Sequence, residues 1–144
     1  MKTAIKRFLP WILLVLVLGG LVIWYFVTNR ITAAENVSYD GKIQEAKTLY
    51  ESQEYSTAMA DYYSAADMIP SRVEAFQGIM TILLDKNRVD DALAILDKSA
   101  QKLSSYDQSV LYTMVGDVYF KKSNYDKALE TYKKGQGVGV NNQE

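Results

Sequence analysis

Ala58, Ala92 and Ala128 recur at intervals of 34 and 36 residues, each in the same surroundings. Three residues before them stand Tyr55, Val89 and Tyr125, four after them Tyr62, Leu96 and Tyr132, and seven after them Ala65, Ser99 and Gly135. Upstream the match continues, with Ala46, Met80 and Gly116 twelve residues before each anchor and Leu49, Leu83 and Tyr119 nine before. A period of this length means stacked supersecondary units, none of which buries its apolar face alone. Within a unit, Tyr55, Ala58, Met59 and Tyr62 fall on one helical face, and the small residues mark where two helix axes approach closely.

Local signals agree with two helices per unit. Ser71-Arg-Val-Glu74 and Ser105-Tyr-Asp-Gln108 have the spacing of capping boxes, in which the serine accepts from an amide three residues on and the acid or amide reaches back. Gln53-Glu54, Asn87-Arg88 and Ser123-Asn124 are short polar turns of the length antiparallel helices need. Pro70 falls where a second helix must stop.

This pattern resembles the tetratricopeptide repeat family, whose helix-turn-helix unit has about 34 residues. The third block matches through Gly116, Tyr119, Tyr125, Ala128 and Tyr132, and the first through Ala58, Tyr62, Ala65 and Pro70. The resemblance implies an all-α protein: an α-solenoid domain over 38–144, with repeats at about 39–72, 73–108 and 109–142. Departures are also present. The usual tryptophan is replaced by Lys42, Phe76 and Tyr112, a usual leucine by Glu45, Ile79 and Val115, and Ser104 and Val140 stand where Pro70 has its equivalents. Eight of the eleven tyrosines (50, 55, 62, 63, 112, 119, 125, 132) lie at or beside packing positions, so they read as core and not as a ligand-binding aromatic cluster.

By resemblance, the first helices form the concave wall of a superhelix, and a protein or peptide partner docks there. The residues implied are Lys47 and Tyr50; Glu74, Gln77, Thr81, Leu84 and Asp85; and Thr113, Asp117, Phe120 and Lys121, with Asp40, Ile43, Glu51 and Val110 beside them. Some members of the family clamp a peptide's terminal carboxylate. At the corresponding positions this chain has Ile43, Lys47, Gly78, Val110 and Met114, so only one lysine of that clamp is present. An extended or helical partner carrying apolar or basic side chains fits this wall better.

Ahead of the repeats, residues 8–27 read FLPWILLVLVLGGLVIWYFV, a run of twenty without a charge that spans about 30 Å as a helix. The expectation is a transmembrane helix over 8–27 in contact with lipid, residues 1–7 in the cytoplasm, and a linker over 28–37. Trp11 and Trp24-Tyr25 suit the two interfaces, and Pro10 suits a first turn. A cleaved signal peptide competes, because Lys2, Lys6 and Arg7 resemble its basic start and Thr32-Ala33-Ala34 offers small residues. The apolar run is longer than a signal peptide's and ends in bulky Trp24-Tyr25-Phe26, which favours an uncleaved anchor. With three bases before the span and only Arg30 close behind it, the repeats are expected outside the cytoplasm, on a single-pass protein of the cell membrane. Gly19-Gly20 alone is a weak signal for helix association.

Composition narrows the function. With no cysteine and no histidine, disulfides, thiolate nucleophiles, imidazole bases and Cys/His metal sites are excluded. Four of the 16 bases lie in the first 30 residues, leaving 12 against all 17 acids, which argues against nucleic acid. No phosphate loop is present, and the adjacent Asp90 and Asp91 point to different helix faces, so no enzyme, no metal and no cofactor are expected. The expectation is a membrane-anchored scaffold for protein–protein interaction, an accessory factor of a bacterial envelope, secretion or assembly complex. The alternative is a structural protein that self-associates into a homo-oligomer through its last repeat or its anchor helix. Asn141-Asn142 close the third repeat and Gln143-Glu144 follow, so its end face is expected to be exposed, with Gly135, Gly137 and Gly139 fraying the last helix early.

Overall fold

The computed structural model describes residues 2–140, and the side chains of 14–30 and 32–138. Six helices make up the described residues: α1 (Lys2–Glu51), α2 (Tyr55–Met68), α3 (Val73–Asp85), α4 (Val89–Ser99), α5 (Ser105–Lys121) and α6 (Tyr125–Val140). The chain divides into two compact units, Met1–Ser38 and Tyr39–Glu144.

The first unit is helical. By length and composition α1 is able to cross a membrane, its apolar part reaching a mean hydropathy of 1.8, and a signal sequence meets the same criterion. The apolar side chains from Leu14 to Val27, including Trp24, Tyr25 and Phe26, are exposed. Lys2, Lys6, Arg7, Pro10 and Trp11 lie outside the described side chains. Residues 28–37, expected as a linker, are helical. They contain neither glycine nor proline, and the Thr28 and Thr32 hydroxyls donate to the Trp24 and Thr28 carbonyls at 2.9 and 3.1 Å, within the helix.

The second unit is three helical hairpins: the last turns of α1 with α2, α3 with α4, and α5 with α6. Each hairpin turns on one residue in the left-handed region, Gln53 (φ 65°), Asn87 (φ 60°) and Ser123 (φ 59°). Two amides then close each helix end: Gln53 and Glu54 donate to Tyr50 and Leu49, Asn87 and Arg88 to Leu84 and Leu83, Ser123 and Asn124 to Phe120 and Tyr119. This is the Schellman closure, made here without glycine, and it satisfies carbonyls that would otherwise be orphaned. The turns repeat at the 34- and 36-residue spacing of the anchor alanines.

Neighbouring helices pack in order, α2 on α3, α3 on α4, α4 on α5 and α5 on α6, with α3 also touching α5. Ala46, Ala58, Ala65, Ala75 and Ala92 are buried in one cluster with Ile79, Met80, Leu96 and Val115. Close approach goes furthest at two glycines, where a Cβ on Gly78 would fall on the ring of Tyr62 and one on Gly116 on the ring of Tyr132. Buried Ser99 donates to the Leu96 carbonyl at 2.9 Å, and no buried side-chain polar atom among the described residues lacks a partner.

Three local expectations are corrected. The cap of α5 is Ser104, one residue before the expected Ser105, and its hydroxyl accepts from the Asp107 amide at 3.1 Å. Gln108 donates instead to the Ala100 and Leu103 carbonyls, tying down the α4–α5 connection. On α3 the N-cap is Arg72 and no side chain of its own caps it, so Ser71 closes no box. Finally, α6 runs through Gly135 to Val140, because Gly135 is buried against α5 with Tyr112 Cβ only 3.0 Å from where its own Cβ would stand. Asn141 to Glu144 lie outside the described residues.

Candidate partner-binding groove

The first helices α3 and α5 lie side by side, and their outward faces enclose a shallow concavity of about 190 Å³. Thr81, Leu84, Asp85, Met114, Asp117, Val118 and Lys121 line it. Five of the eleven residues expected to form a groove are thus brought together. Met114 and Val118 complete the lining; their signal in the sequence is helical spacing, since Met114, Asp117, Val118 and Lys121 follow one another at steps of three, one and three along a single face.

Tyrosines hold both carboxylates of this concavity in place. Tyr50 donates to Asp85, and that bond is the main cause of a Tyr50 hydroxyl pushed up to about 12. Tyr132 donates to Asp117 at 2.7 Å, which likewise raises its hydroxyl above the ordinary range. Each carboxylate keeps acceptor capacity beyond that one bond. The Thr81 hydroxyl is turned back onto the Gln77 carbonyl at 2.8 Å and offers little to a ligand. Thus the surface has an apolar floor of Leu84, Met114 and Val118, two fixed anions and one cation, Lys121.

The remaining residues lie elsewhere. Lys47 is exposed on α1, and Thr113 is exposed with its hydroxyl donating to the Ser109 carbonyl at 2.9 Å. Gln77 is half-buried. Glu74 is engaged in structure: Arg72 pairs with it at 3.0 Å and holds its carboxyl below the usual range, while the Tyr39 hydroxyl donates to it at 3.4 Å. Phe120 leaves the concavity altogether. Its ring packs edge-on against Tyr125 at 5.4 Å between centroids, on the face of α6.

Among the described residues no group of three or more acidic side chains is placed to hold a metal ion. To a ligand the concavity presents carboxylate acceptors and apolar area.

These hairpins, with left-handed turns and small residues in register, form helical repeats of the kind the sequence resemblance implies. The chain is similar to the Protein STIP1 homolog of Dictyostelium discoideum, at 25% identity over 88 residues. The match covers 58% of this chain and 16% of that protein, so this chain spans about a sixth of its length. No family model matches.

Proposed function

We propose that the chain is a membrane-anchored, non-catalytic scaffold whose repeats recruit a protein partner through the α3–α5 concavity. The observation that carries this is that Asp85 of α3 and Asp117 of α5, each bonded by a tyrosine hydroxyl, line one concavity with Leu84, Met114 and Val118. Carboxylates held in one geometry lose less freedom on binding, so a segment presenting basic side chains around an apolar one fits best. Likeness to a Protein STIP1 homolog supports an interaction role. The apolar run supports an anchor over 8–27 with the amino terminus in the cytoplasm and the repeats outside. Tethering raises the effective concentration at the membrane, so a shallow groove suffices for an accessory factor of an envelope, secretion or assembly complex.

A photo-crosslinking residue at Met114 in the full chain, in native membranes, tests the groove. The expected result is a discrete protein adduct that is lost in the Asp85→Lys, Asp117→Lys double variant while helicity is retained. An adduct of unchanged yield in that variant overturns the assignment. Orientation is read separately from a single cysteine placed at exposed Gln101, since the chain has none of its own. Labelling of intact cells by an impermeant thiol reagent is expected, and labelling only after lysis reverses the placement.

A further inference from the structure

Lys98 and Lys134 hold the same register, each six residues after its anchor alanine, yet only Lys134 has a counter-ion. It pairs with Glu130 at 2.8 Å, one turn back along α6. One turn back from Lys98 stands Ala94, and the charge of the adjacent Asp97 acts on Tyr112 and Lys134 instead. Lys102 follows a turn later. Among the described residues neither Lys98 nor Lys102 makes a hydrogen bond or ion pair through its side chain.

Both lysines stand on a fixed backbone. The Lys102 amide donates to the Ser99 carbonyl at 2.9 Å, Leu103 is buried, and Gln108 holds the Ala100 and Leu103 carbonyls. They line a cleft of about 180 Å³ between α2 and α4, which both pack on α3. The rest of the lining is mainly apolar: Ala66 and Phe76 are buried, Ile95 is half-buried, and Tyr63 is 42% exposed. Asp67 is its one acid.

We propose that this cleft is a second docking site, for an acidic segment of a partner protein that seats one aliphatic or aromatic side chain between α2 and α4 and sets carboxylates against Lys98 and Lys102. Charge decides the occupant. The α3–α5 concavity offers two carboxylates and one lysine, and this cleft offers the reverse, two lysines and one carboxylate. A segment rich in lysine or arginine is repelled here, and one rich in glutamate or aspartate is drawn. Size decides the rest. At about 180 Å³ the cleft is smaller than the roughly 300–1,000 Å³ of a small-molecule pocket, and it takes one side chain as the anchor of a protein interface. Because the two sites share no lining residue, a basic and an acidic partner are held at once.

The probe is a fluorescein-labelled peptide, EELFEE, titrated by fluorescence polarisation against the full-length protein in nanodiscs of phosphatidylcholine, a lipid without net charge. Saturable binding is expected. It should weaken at least about tenfold in the Lys98→Glu, Lys102→Glu double variant and for the peptide EEGGEE, and should not weaken in Asp85→Asn, Asp117→Asn. Both lysines are exposed, so their variant retains its fold, which a circular dichroism melt verifies. Absence of saturable binding overturns the proposal, as does binding indifferent to the charge reversal. Equal binding of EEGGEE overturns it too, because the lysines then act as surface charge without an anchor pocket. Weaker binding in the asparagine variant does the same by moving the peptide to the α3–α5 concavity. Two further results give the cleft to another occupant and overturn the assignment. One is a dimer in sedimentation that Tyr106→Ser dissolves, since Tyr106, 77% exposed beside Asp107, then fills the cleft of a second copy. The other is binding of the nanodiscs to phosphatidylglycerol vesicles that the lysine variant loses, which assigns Lys98 and Lys102 to lipid headgroups.

Discussion

The Tyr39 hydroxyl accepts the amide of Ala75 at 3.2 Å, across 36 residues of sequence. Ala75 is in the first turn of α3, where amides have no partner within the helix, and α3 has no side-chain cap of its own. A buried tyrosine of the first repeat therefore caps the second. The Arg72 guanidinium lies 4.1 Å over the Tyr39 ring and bonds Asp40 and Glu74 at 2.8 and 3.0 Å, closing the joint from outside. Replacing Tyr39 by Phe keeps the ring and removes the acceptor, leaving a buried amide unpaired. Urea unfolding of the variant is expected to show a loss of about 1–2 kcal/mol, and an unchanged midpoint would mean that this bond contributes nothing.

Alkaline pH tests the same joint. Burial is the main cause of a Tyr39 hydroxyl raised from its ordinary 10.0 to about 12, with the nearby Glu74 carboxylate adding to it. A hydroxyl whose pKa is higher folded than unfolded stabilises the fold fully below pH 10, and that contribution is lost as pH rises through 12. A rise of this size is worth at most about 3 kcal/mol. Stability is expected to fall between pH 10 and 12, less steeply in Tyr39→Phe than in the wild type. Parallel curves for the two proteins would count against it.

One substitution is expected to have opposite signs at two glycines. A Cβ at Gly78 meets the Tyr62 ring, whereas Gly41 on α1 has nothing within 4 Å. Alanine gains about 1 kcal/mol over glycine in a helix interior, and overpacking a core costs about 1–3 kcal/mol. Gly41→Ala should therefore raise the thermal midpoint and Gly78→Ala lower it, net of the same propensity gain. Equal shifts would show that the Tyr62 ring moves aside without cost.

Caps separate the serines. Ser104→Ala removes the hydroxyl that accepts the Asp107 amide and is expected to cost about 1 kcal/mol. Ser71→Ala, on an exposed residue that caps nothing, should stay within about 0.5 kcal/mol. Chemical unfolding of both variants side by side decides this, and a cost at Ser71 matching that at Ser104 would restore the capping box at α3.

Some of this was fixed by sequence alone, because it depends on spacing within a few turns of one helix. Alanines recurring with aromatic residues at steps of three and four can only build stacked helical hairpins, and Ala58, Ala92, Tyr62 and Leu96 are buried where that periodicity puts them. The family resemblance, not the spacing, pointed to Thr81, Leu84, Asp85, Asp117 and Lys121, which line one concavity between adjoining first helices. Tertiary structure decided whatever depends on groups distant in the chain. Ser71 lost the α3 terminus to Tyr39, whose buried hydroxyl needs a partner of its own. Phe120 had the register of a groove residue yet turned to Tyr125, since an aromatic ring gains more from an apolar neighbour than from a wall lined by carboxylates. And α6 held through its glycines because Gly135 lets α5 come close, a contact that offsets the conformational freedom glycine loses.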